Sequence, residues 1–315
     1  MTPLRSATDR ISTVRAGDGA ELRVLTRGPD SAPLTVVLAH GWLLSSDIWS
    51  PQASHLASVP DVPLRIIRFD HRGHGGSTRG TRPFDVGLLG EDLSRVLDAH
   101  APSGPLVLGG HCLGGMAIMA LAGARPELFA ERVAGTLLAA TSAGGPDPGR
   151  PEVPLPDRAA ARGRHAAMRL LSHLPAGVDL MRVLVPPHLR AVRAAVRSAA
   201  FGSGADPRRV RECANLVHGT PAESLTGLYA PLTRLDLTER LGPLRDVPVT
   251  ILAGGRDRLI PPRHGRALSR ALPEARVRFL PHNGHLVPLE APDVVSGHLA
   301  ELCGAGVAES GAGAA

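Results

Sequence analysis

The chain has 315 residues, 43% of them hydrophobic and 20% charged, which is the balance of a globular protein long enough to bury a large core. Its formal charge is +6, yet all 35 basic residues are arginine, spread among 29 acidic ones, and aromatic residues make up only 3%, so a nucleic-acid surface is not expected. No apolar run approaches the roughly 18 residues of a membrane span, and "MTPLRSATDR" has no apolar signal core, so a cytoplasmic location is expected and no membrane partner.

In chain order, residues 11–28 alternate on both sides of Gly17-Asp18-Gly19, the pattern of an antiparallel hairpin. Short apolar runs suited to buried strands follow at 34–40, 64–70, 105–111, 132–141, 248–255 and 275–281. Helical patterns lie between several of them, at about 47–58, 86–100, 113–125, 262–271 and 291–302. Strands alternating with helices predict an α/β fold, a mostly parallel twisted sheet with helices on both faces. The alternation stops between about 146 and 238. That stretch opens on the Pro- and Gly-rich "GGPDPGRPEVPLPD" and continues with helix-like segments near 157–174, 187–200, 206–218 and 221–236. The expected organisation is a core of 1–145 and 239–303, an inserted helical cap of 146–238, and a low-complexity tail of 304–315 without order.

In an open parallel sheet, functional groups collect at the carboxyl ends of the strands. The run at 34–40 leads into His40-Gly41-Trp42, that at 105–111 into Cys112, that at 248–255 into Arg256-Asp257, and that at 275–281 into "HNGH", which ends at His285. A nucleophile, a carboxylate and a histidine thus converge on one edge of the sheet. Cys112 sits in "LGGHCLGG", a strand, a glycine-flanked turn and a helix start.

These segments resemble the α/β-hydrolase fold family. "GHCLGG" matches the family's G-x-S-x-G turn with cysteine in place of serine. "AHGW", "RFDHRGHGGS", "GGRDRLIP" and "NGHLVPLEAP" are similar to its oxyanion loop, strand-loop, acid and histidine segments. The likeness spans about residues 20–302. It implies a triad of Cys112, His285 and Asp257, with the backbone N–H groups of Trp42 and Leu113 as the oxyanion hole. It also implies a cap that sets substrate choice, with His40, Gly41, Met168, Leu171 and Leu228 as candidate pocket residues. The family's alternative acid position follows the strand at 132–141 and here reads Thr141-Ser142-Ala143, without a carboxylate, which favours Asp257.

A thiol forms its nucleophilic anion more readily than a hydroxyl, and its acyl adduct is a reactive thioester. The expected function is therefore hydrolysis or acyl transfer on an ester, thioester or lactone, the substrate being a small acyl compound, free or borne on a carrier protein. The alternatives on the same scaffold are a lyase, eliminase or cyclase of natural-product biosynthesis driven by His285, and a ligand-binding protein without catalysis. No cofactor is expected. No metal is expected either, because no CxxC or HxxxH pair occurs. His71, His74, His111 and His282 are read as packing or bracing residues, and Cys213 and Cys303 as helix-packing residues.

Overall fold

The computed structural model describes residues 9–58, 62–144 and 174–312, together with Gly163, Ala166, Ala167 and Leu170. The hairpin expected at the start is present as β1 (Arg10–Arg15) and β2 (Glu21–Arg27), paired antiparallel. Beyond it come β3 (Leu34–Ala39), α1 (Ser50–Leu56) after a short 3₁₀ turn, β4 (Leu64–Phe69), α2 (Val86–His100), β5 (Leu106–His111) and α3 (Leu113–Ala124). Then follow α4 (Pro126–Arg132) and β6 (Val133–Ala139). After the insertion the core resumes with β7 (Val249–Gly254), α10 (Pro262–Ala271), β8 (Arg276–Leu280), α11 (Val287–Glu290) and α12 (Pro292–Ala312).

The eight strands make one sheet in the order β1-β2-β4-β3-β5-β6-β7-β8. β2 pairs antiparallel with both its neighbours, and all pairs from β4 to β8 are parallel. Successive side chains of a strand point to opposite faces. Val37 and Ala39 accordingly enter one core cluster with Ile67, Phe69 and Leu108, while Val36 and Leu38 enter a second with Ile66 and Val107. Both faces are buried at the central strands β3, β5, β6 and β7, which is why these read as nearly unbroken apolar runs rather than as alternating ones. α3 is buried from Leu113 to Ala122, packed against β5, α2 and the 3₁₀ segment Thr238–Arg245. A helix enclosed on every side must be apolar all round, and "LGGMAIMALA" is.

The strand order reverses between β3 and β5, so the connection after β3 crosses one face of the sheet and that after β5 the other, the switch point at which such sheets bind ligands. Gly41 follows β3 and Cys112 follows β5. A methyl group on Gly41 would come within 3.2 Å of the Cys112 Cβ. The two segments meet at the switch point.

Between β6 and β7 the described residues form α5 (Pro175–Leu184), α6 (Arg190–Ala200), α7 (Pro207–Gly219), α8 (Ala222–Gly227) and α9 (Tyr229–Thr233). The base of this insertion is closed by an antiparallel bridge of Gly144 with Asp236 and by the Leu237 N–H donating to the Ala143 carbonyl at 2.6 Å. Two expectations change here. The single helix read near 221–236 is two short ones, and α5 was not anticipated. A third change is at the end of the chain. α12 runs on to Ala312, through most of the tail expected to lack order. Gly306 is buried against Ala134 and Leu34, and Val307 packs on the second core cluster. Two contacts of this kind anchor a helix whose Gly- and Ala-rich composition gives no such signal.

Candidate active site

Cys112 stands at the joint between β5 and α3 with φ 50° and ψ −111°, a sparsely populated conformation that costs about 1–3 kcal/mol in a non-glycine residue. Neighbours fix it there. Its N–H donates to Ala139 O at 3.0 Å, and its carbonyl accepts from Met116 N at 3.2 Å and from Thr141 Oγ1 at 2.6 Å. The flanking glycines are required by space. A Cβ on Gly114 would lie 2.1 Å from the Ala39 carbonyl oxygen, and one on Gly110 would lie 2.5 Å from Gly115 N. Cys112 is partly exposed, whereas Cys213 and Cys303 are buried. Beneath it begins α3, whose first N–H groups have no intrahelical acceptor and favour negative charge.

His285 lies in the turn after β8, 4% exposed. Its Nδ1 donates to Asp257 Oδ2 at 2.8 Å, which leaves Nε2 unused by the carboxylate, and Cys112 lies close enough to the ring to act on its charge. Burial would lower the pKa of this imidazole. The Asp257 carboxylate and the Cys112 sulfur outweigh burial and hold it well above the ordinary histidine value. Asp257 is itself oriented by its second oxygen, which accepts from Leu259 N and Ile260 N at 2.8 Å each. The structure thus gathers Cys112, His285 and Asp257 from three strand ends.

Leu113 is the first residue of α3, and the Trp42 backbone N–H has no backbone acceptor among the described residues. Trp42 is also tied to the insertion. Its indole Nε1 donates to Ser224 O at 3.0 Å, and its ring centroid lies 6.2 Å from that of Tyr229.

The candidate pocket residues separate. Gly41 lies against Cys112 and the His111 ring. His40 does not face a pocket. It is fully buried, its Nδ1 donating to Gly41 O at 2.7 Å and its Nε2 accepting from His71 N at 2.9 Å. Leu228 is 0% exposed and belongs to the first core cluster, on which Trp42 packs. Met168 and Leu171 lie outside the described residues.

His71, His74 and His111 are fully buried beside the site. Burial depresses all three, together with His40, His74 to about 3. His111 Nε2 donates to the His285 carbonyl at 2.9 Å, so it braces the turn as a neutral ring. The alternative acid position holds no carboxylate, as read. Thr141 bonds the Cys112 carbonyl and Ser142 Oγ meets His264 Nδ1 at 2.7 Å. Among the described residues no group of three or more His, Cys, Asp or Glu is arranged to hold a metal ion, and no helix is long and apolar enough to cross a membrane.

One residue of the site escaped the sequence reading. Glu290 accepts from Gly284 N at 3.0 Å, Leu286 N at 3.1 Å and Gly202 N at 2.8 Å. The available signal was its setting, a lone carboxylate inside the apolar "LVPLEAP".

The fold and the strand-end constellation define an α/β-hydrolase scaffold, and the sequence pattern of the Alpha/beta hydrolase family matches residues 36–297. The chain belongs to that family. It is 27% identical over 274 residues to a protein of Caulobacter sp. (strain K31) that bears the name "Putative carbamate hydrolase RutD", covering 84% of this chain and 89% of that one. It superposes with a TM-score of 0.69 on the enol-lactonase of Burkholderia xenovorans LB400, at 21% identity over 93% of this chain and 99% of the other. A thermophilic esterase from Thermogutta terrifontis gives the same TM-score at 22% identity, over 94% and 97%.

Proposed function

We propose that the protein hydrolyses an ester, thioester or lactone, with Cys112 as nucleophile, His285 as proton carrier and Asp257 as its orienting carboxylate. The observation that carries this reading is the proximity of Cys112 to a His285 ring whose Nδ1 is bonded to Asp257. The relative named as a putative carbamate hydrolase supports hydrolysis, and an esterase and a lactonase on the same fold are in keeping with the proposed substrate class.

In the first half-reaction the Cys112 sulfur attacks the carbonyl carbon, and the thiol proton resides on His285 Nε2. The carbonyl oxygen becomes an oxyanion facing the N–H groups of Trp42 and Leu113 at the positive end of α3. When the tetrahedral adduct collapses, the bond from carbon to the leaving oxygen or sulfur breaks. The leaving group takes the proton from His285, and the acyl group remains on Cys112 as a thioester. In the second half-reaction water gives a proton to His285 and its oxygen attacks the thioester carbon. The C–S bond then breaks, the acid departs and the proton returns to sulfur. The elevated pKa of His285 suits it to hold the proton between these steps. We assign the described part of the insertion, from residue 174 to 238, to covering the pocket, since Ser224 and Tyr229 contact Trp42.

The test is a panel of phenyl esters, acyl thioesters and small lactones assayed in ¹⁸O-labelled water. One oxygen of the label is expected in the acid product, and Cys112→Ala is expected to abolish turnover. Full turnover by Cys112→Ala contradicts the reading.

A further inference from the structure

We infer that Glu290 is a positioning residue that clamps the turn carrying His285 to the inserted segment, so that the insertion sets the alignment of the proton carrier with Cys112. This rests on the reading above for the role of His285. Glu290 does not touch the reacting atoms. Its carboxylate gathers backbone N–H groups from both sides of the catalytic histidine, Gly284 and Leu286, and a third from Gly202, two residues past the end of α6.

The same joint is made a second time without Glu290. The Ala200 carbonyl, the last of α6, accepts from His285 N at 2.8 Å and Leu286 N at 3.3 Å, and Ser203 N donates to His282 O at 2.9 Å. The two backbones approach so closely that a Cβ on Gly202 would fall 2.0 Å from the His282 carbonyl oxygen. His285 is therefore seated between the sheet edge and residues 200–203. Glu290, one side chain with three donors on it, locks that seat. A shift of the insertion moves the turn, and a turn displaced by about 1 Å costs up to roughly a hundredfold in rate.

The experiment uses the full chain with Glu290→Ala and Glu290→Gln, the latter keeping the shape and one acceptor oxygen. Three readouts are taken: kcat and KM on a phenyl ester, the rate of iodoacetamide labelling at Cys112 at pH 7, and thermal unfolding. Glu290→Ala is expected to lower kcat between about ten- and a hundredfold, with KM changed less than about threefold. Cys112 labelling should slow in parallel, because it reads the pairing of sulfur and imidazole without needing turnover. Glu290→Gln should recover part of both rates. If Glu290→Ala does not fold, Glu290→Gln decides, with kcat and labelling each expected below wild type. Unchanged kcat and labelling in a folded variant, or a loss confined to KM, overturns the clamp. If Cys112→Ala keeps turnover while the Glu290 variants slow Cys112 labelling, the nucleophile reading fails and the clamp stands.

Discussion

The proposed nucleophile and its proposed base are held in different ways. Among the described residues Cys112 is fixed by the core, through Ala139, Thr141 and Met116, in a strained turn between a buried strand and a buried helix. His285 is fixed by the core through Asp257 and His111 and by the insertion through Ala200, with Glu290 joining the two. Trp42 resembles His285 in this, since its side chain bonds the insertion at Ser224. A nucleophile seated in the core keeps its geometry whenever the sheet is folded. A base seated at a joint keeps its geometry only when the insertion is docked. On the proposed reading, catalytic competence depends on the contact between these two segments.

The largest expected effects come from the three side chains on which both kinds of seating converge. Cys112→Ala removes covalent turnover, and His285→Ala lowers kcat by about 10⁴-fold or more. Asp257→Asn leaves the ring unoriented and costs on the order of 10³–10⁴ in kcat. Steady-state assays on a phenyl ester check all three. Loss from His285→Ala without loss from Asp257→Asn would reassign the carboxylate.

The contrast between thiols sharpens the core-held side. Burial pushes Cys213 and Cys303 up to about 12. At pH 7 their anions are then on the order of one part in 10⁵. Iodoacetamide should label Cys112 at least about 10³-fold faster than either. Mass mapping of the labelled peptides measures this, and comparable labelling of all three would mean that Cys112 is not the paired thiol.

A smaller effect probes the elbow itself. Thr141→Val removes the bond to the Cys112 carbonyl and should destabilise the fold by about 1–1.5 kcal/mol, whereas Thr141→Ser, which keeps the hydroxyl, should cost less. Urea midpoints separate them. Equal losses would show that packing, not the hydroxyl, holds the turn.

The buried histidines give the gentlest test. His40, His71, His74 and His111 are all depressed by burial. Above about pH 6.5 they are neutral both folded and unfolded, and contribute no pH dependence. As pH falls below that value the unfolded chain takes up protons that the folded one refuses. Stability should therefore drop by about 1.4 kcal/mol per pH unit for each such ring, until the folded pKa is reached, about 3 for His74. Urea titrations at pH 6.5 and 5.0 measure the slope, below the range in which His285, whose folded value is raised, acts in the opposite direction. A flat response would mean that these rings charge freely in the folded state.

Much of this was legible in the sequence because it lies where local pattern and chemistry coincide. β5 and α3 flank "GHCLGG", where spacing, glycines and apolar runs point the same way. Asp257 and His285 were readable because each follows a strand-like run and the insertion interrupts the alternation between them and Cys112. The joint was not legible. Glu290 acts on backbone N–H groups, which carry no sequence signature, and its partner Gly202 comes from a segment 88 residues away. His40 was misread as pocket-facing because a strand-end histidine looks functional, whereas two backbone bonds turn it inward. The end of α12 was hidden for a similar reason, its order resting on Gly306 and Val307 against distant strands.

The most direct measurement is the mass of the protein quenched in acid within its first turnovers of a small lactone or phenyl ester. An increase equal to the acyl group, mapped to the peptide containing Cys112, present in His285→Ala only if at all after long exposure and missing from Cys112→Ala, is the predicted result. Turnover at the wild-type rate in Cys112→Ala, or an acyl group mapped to another residue, would contradict it.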